Sequence, residues 1–133
     1  MTRFAIDAPT LLQLVEGRHK VSETHQLVAP NSLRTRALGI LLQQVKSGEL
    51  SEAAALDLHE RMTEMKIRLL GDRVSRRTAW RVAMESGAES IDDAEYVAVA
   101  KLQADALVTF SPHIASMAKD VVPLATLRDL TVS

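Results

Sequence analysis

Residues 92–111, DDAEYVAVAKLQADALVTFS, change periodicity part-way along. Tyr96, Val97 and Ala100 fall on one side of a helix that opens near Ser90-Ile91-Asp92-Asp93. Residues 106–110, ALVTF, then form an uncharged, mainly apolar run, as a parallel strand covered on both faces requires. Acid-led helix followed by buried strand is half of an α/β unit. The flanking sequence supplies the rest.

Downstream, Ser111-Pro112 opens a helix expected to reach about Lys119, and a short strand is expected at 121–124. Upstream, RFAID at 3–7 reads as a strand running into Ala8-Pro9, where proline suits a first helical turn. Leu11, Leu12, Leu14 and Val15 continue that helix to Gly17, and residues 27–29 form a second strand ended by Pro30. Asn31 or Ser32 caps the next helix, which carries Leu33, Ala37, Ile40, Leu41 and Val45 until Gly48 stops it. Ser51 caps a partner with Ala55, Leu58, Met62 and Met65 in phase, so the two form a helical hairpin. A third strand is expected at 67–70, then a basic helix from Asp72 to the stop at Gly87, with Trp80 read as a core residue. Short strands separated by helices, without hairpin turns, predict one α/β/α sandwich around a small parallel sheet over residues 1–133.

Composition narrows the function. The chain has 133 residues, 47% of them apolar, with 16 Lys+Arg against 17 Asp+Glu and no cysteine. The absence of cysteine excludes disulfides, thiolate metal sites, iron–sulfur clusters and a thiol nucleophile. No run approaches the ~20 apolar residues of a membrane span, and residues 1–15 lack the pattern of a secretion signal, so a cytoplasmic protein is expected. A net charge of -1 leaves room only for a local nucleic-acid patch.

In open parallel sheets, ligands bind beyond the carboxyl ends of strands. Asp7 stands there, either as a metal-binding or nucleophilic carboxylate or as the cap of the following helix. Asp92 and Asp93 open their helix, where Ser90-x-x-Asp93 resembles a capping box, and Thr109 and Ser111 leave the buried strand with hydroxyls at the same edge. An Asp7 phosphoryl-transfer nucleophile is the weaker reading, because Pro9 stands where a second acid would assist and no glycine-rich phosphate loop is present.

The segments FAIDAPTLLQLV, LVAPNSLRTRALGILLQQVKSGELS and DDAEYVAVAKLQADALVTFS, in this order and spacing, resemble the PIN domain, particularly VapC-type toxins of bacterial toxin–antitoxin pairs. The resemblance implies a single-domain, Rossmann-like α/β/α fold and a magnesium- or manganese-dependent endoribonuclease. It also implies a homodimer and a small antitoxin partner. Asp7 and Asp93 match two of the acids that build the family's catalytic metal site, with Asp92 a neighbouring donor. The other two positions depart: Arg36 replaces a glutamate and Ser111 an aspartate, with Thr109 supporting.

A guanidinium among these acids repels a divalent cation and can neutralise carboxylates itself. Arg36 is therefore expected to occupy the metal position, beside Asp7 and Asp93. The alternative is that Arg36 faces solvent and a reduced site of Asp7, Asp92 or Asp93 and Ser111 remains. Two functions follow: an impaired PIN-like protein acting through protein or RNA binding, with no metal bound, or an active nuclease with a reduced magnesium or manganese site. Arg34, Arg36, Arg73, Arg76, Arg77 and Arg81 are the basic candidates for RNA contact. Their plainer reading is a solvated face with Asp72–Arg76 and Arg81–Glu85 pairs. His19, His25, His59 and His113 lack metal-ligand spacing.

Overall fold

The structure, a computed structural model, describes residues 1–132. Its elements in chain order are β1 (Thr2–Ile6), α1 (Ala8–Glu16), β2 (His25–Pro30), α2 (Leu33–Lys46), α3 (Glu52–Glu64) and β3 (Ile67–Leu70). There follow α4 (Arg73–Ser86), α5 (Ile91–Gln103), β4 (Ala106–Val108), α6 (Pro112–Ala118), β5 (Leu124–Ala125) and α7 (Leu127–Thr131). The strands form one parallel sheet in the order β3-β2-β1-β4-β5. This is the expected Rossmann-like α/β/α sandwich.

β1 is central because it can be buried on both faces: Phe4, Ala5 and Ile6 are all core residues. The helices α1, α2 and α3 pack on one another, whereas α5 lies directly on β1, β2 and β4 with α4 and α6 against it. Small side chains permit that second layer. Ser75, Ala79 and Ala83 of α4 are buried, as are Ala94 and Ala98 of α5, so the two backbones can approach closely.

From β1 the chain builds β2 and β3 to one side, then crosses to β4 on the other. The order thus reverses beside β1, and the carboxyl ends of β1 and β4 flank the crevice where α/β sheets place ligands. Asp7 follows β1 and Thr109 follows β4.

Local expectations met three corrections. β4 ends at Val108 rather than 110, because Thr109 turns to bond Asp7, and Phe110 is left exposed. The last strand is Leu124–Ala125, not 121–124, because the amides of Val121 and Val122 bond Ala118 and close α6. Trp80 is no core residue: it is 65% exposed, since α4 buries its small side chains instead.

Candidate functional site

Asp7 is fully buried. It caps α1 as its Oδ1 accepts from the Thr10 amide at 2.9 Å, with the Thr10 hydroxyl at 2.5 Å. Its Oδ2 accepts from the Thr109 hydroxyl at 2.5 Å. Thr10 Oγ1 also lies 3.0 Å from the carbonyl oxygen of Val108. Its single proton serves the closer, charged acceptor best. Thr109 Oγ1 in turn accepts from the amide of Ser111, and Ser111 Oγ caps α6 by accepting from Ile114. One buried carboxylate therefore joins the ends of β1 and β4 to the starts of two helices.

Arg36 projects from the first turns of α2 toward the first turns of α5. Nη1 donates to the carbonyl oxygen of Asp92 at 2.7 Å, Nη2 lies 3.2 Å from Asp92 Oδ1, and Nη2 also donates to Glu95 Oε1. The guanidinium carbon stands 5.2 Å from the centre of the Tyr96 ring, a cation–π contact. Burial works against the Arg36 charge, yet Tyr96 and Glu95 outweigh it and hold its pKa above the ordinary value. Tyr96 is held above the usual phenol range, chiefly by burial and further by the Asp7 charge, against the opposing influence of Arg36 and the Ala8 amide. The buried hydroxyl of Ser32 has no hydrogen-bond partner among the described residues, and that of Tyr96, though Arg36 and the Ala8 amide lie near it, makes no well-formed bond there.

Arg36 pairs with Asp92 and Glu95, rather than with Asp7 and Asp93, and its side chain is only 20% exposed rather than turned to solvent. Asp93 instead lies beside His113 of α6, 3.9 Å away and half-exposed. Ser90 Oγ caps α5 through the Asp92 amide, so the capping-box geometry expected through Asp93 does not form. Glu95, Tyr96 and Thr10 are site residues that sequence reasoning missed. Thr10 alone carried a local signal, at the position three beyond a capping acid.

The donor set is sparse for a divalent cation. Asp7 Oδ1 accepts from the Thr10 amide and hydroxyl and Oδ2 from Thr109, and Arg36 already engages Asp92 and Glu95. Among the described residues, no group of three or more His, Asp or Glu side chains is arranged to hold a metal ion. The arrangement can hold elements together and present a half-exposed acid at the crevice.

The basic candidates divide. Arg34 donates to the carbonyls of Met62 and Met65, satisfying the end of α3. Arg76 bonds the Gly71 carbonyl, and neither the Asp72–Arg76 nor the Arg81–Glu85 ion pair forms. Among the histidines, His25 places Nε2 2.6 Å from the Val132 carbonyl and packs edge-on to Phe4. No helix among the described residues is long and apolar enough to cross a membrane.

No family model matches the sequence, and no curated protein matches it. Among solved structures, the chain is similar to PAE2754 from Pyrobaculum aerophilum, with a TM-score of 0.78 and 22% identity. The match covers 98% of this chain and 93% of that one. At this identity the likeness establishes a shared fold.

Proposed function

We propose that this chain is a PIN-like protein of the VapC type that has lost efficient metal-dependent RNA hydrolysis and acts through binding, to RNA or to a small antitoxin-like protein. The observation that carries this reading is the Arg36 guanidinium, bonded to Asp92 and Glu95 at the start of α5. A hydrolytic magnesium site needs several oxygen donors converging on one ion, with water held between the metal and phosphate. Here a fixed cation neutralises the nearest carboxylates, and Ser111, spent as a helix cap, replaces a further one. Together these substitutions remove two donors and add a positive charge at the start of α5, next to rather than between Asp7 and Asp93. Dimerisation through a second copy and residence in the cytoplasm belong to the same proposal.

The test is cleavage of a structured RNA in magnesium and in manganese, comparing the native chain with the Arg36→Glu, Ser111→Asp double variant. The reading expects no metal-dependent cleavage by the native chain and measurable cleavage by the double variant. Native cleavage abolished by Asp93→Asn would establish the alternative, an active nuclease with a reduced site.

A further inference from the structure

The outer side of α4 is unlike the rest of the surface. Arg73, Arg77, Trp80 and Met84 follow one another at helical spacing, with Val74 and Arg81 alongside. Trp80 is 65% exposed and Met84 66%, while Ser75, Ala79, Val82 and Ala83 take the packed side. Arg73, Arg77 and Arg81 make no hydrogen bond or ion pair among the described residues. Val74, Trp80 and Met84 thus form an exposed apolar cluster rimmed by arginines, the pattern of an interaction surface.

We propose that this face binds single-stranded RNA, with Trp80 stacking on a base and Arg73, Arg77 and Arg81 meeting the flanking phosphates. The charge selects an anionic partner, because Glu85 is the only acid within the helix. The shape selects an unpaired strand: an aromatic standing off a convex helix reaches the face of a splayed base, which a duplex keeps stacked. Guanidinium groups beside the indole add planar surfaces that also stack on bases.

Position ties this face to the site. Only Gly71 and Asp72 separate α4 from the carboxyl end of β3, and residues 87–90 join it to α5, whose first turn bears Asp92 and Asp93. The choice of RNA over DNA rests on the proposed function above; the stacking surface itself does not.

The chain has one tryptophan, so its fluorescence reports on this face directly. Titrating the full chain with a short oligouridylate at low salt should quench that emission. Anisotropy of a labelled oligouridylate should show Trp80→Ala binding about tenfold more weakly. Arg77→Ala should lower the slope of log affinity against log salt by about 0.7, while Lys101→Ala on α5 changes neither quantity. These side chains are exposed, and far-ultraviolet circular dichroism confirms folding of each variant.

Absent quenching and anisotropy change at low salt would overturn the proposal, as would affinity indifferent to Trp80→Ala and Arg77→Ala. Tighter binding of oligodeoxythymidylate would overturn the assignment to RNA, and capture of an acidic polyglutamate peptide with oligouridylate inert would assign the face to protein. Metal-dependent cleavage by the Arg36 variants reads a different set of residues, so either reading can fail alone.

Discussion

Thr109 donates its hydroxyl to Asp7 Oδ2 at 2.5 Å, joining the carboxyl ends of two neighbouring strands through a fully buried carboxylate. The same hydroxyl oxygen accepts from the Ser111 amide, so Thr109 connects the end of β4 both to β1 and to the start of α6. Thr109→Val keeps the shape and removes the donor. It should destabilise the fold by about 2 kcal/mol, the usual cost of losing a hydrogen bond to a charged group. Thr63→Val on the exposed side of α3 should stay within about 0.5 kcal/mol, with urea denaturation comparing the two.

Tyr96 makes the opposite prediction. Its buried hydroxyl faces Arg36 and the Ala8 amide but makes no well-formed hydrogen bond among the described residues, so it carries a desolvation cost with little return. Tyr96→Phe keeps the ring under Arg36 and should leave stability unchanged or raise it by about 1 kcal/mol. A loss above about 1 kcal/mol by urea denaturation would show that the hydroxyl has a partner in solution.

Arg36 and Glu95 should be energetically coupled. A double-mutant cycle with alanine at both positions should give about 1 kcal/mol of interaction, because both groups are largely covered and the guanidinium is braced by Tyr96. The more exposed Arg61–Asp57 pair, one helical turn apart on α3, should give about 0.3–0.5 kcal/mol.

Acid should loosen helix starts first. The Ser75 amide and hydroxyl hold Asp72 below the usual carboxylate range, and Thr126 does the same for Asp129. A carboxylate whose pKa is lower folded than unfolded contributes stability above its unfolded value, and that contribution fades as the pH falls through the folded one. Stability should therefore decline below about pH 4. The Asp72→Asn, Asp129→Asn double variant should show a shallower decline when urea midpoints are followed from neutral pH to acid.

Much of this was legible in the sequence because it is locally encoded. Ser51, Asp72 and Ser111 announce their helices by capping chemistry, and Gly87 ends α4 in the left-handed conformation that suits glycine. The buried runs of β1 and β4 needed only composition. Trp80 was misread because α4 docks through alanine and serine, whose weak apolar signal is masked by the larger residues on its outer side. The partners of Arg36 were invisible for a different reason. Asp92 and Glu95 lie on another helix more than fifty residues away, and no spacing rule links positions that meet only once the sheet has formed.

The central proposal is that this edge, with Arg36 tied to Asp92 and Glu95 and Ser111 spent as a helix cap, holds no catalytic metal, and calorimetric titration of manganese into the native chain tests it most directly, beside the Arg36→Glu, Ser111→Asp double variant. The account predicts no binding heat for the native chain and a measurable binding isotherm for the double variant. Manganese binding by the native chain that disappears in Asp93→Asn would contradict it.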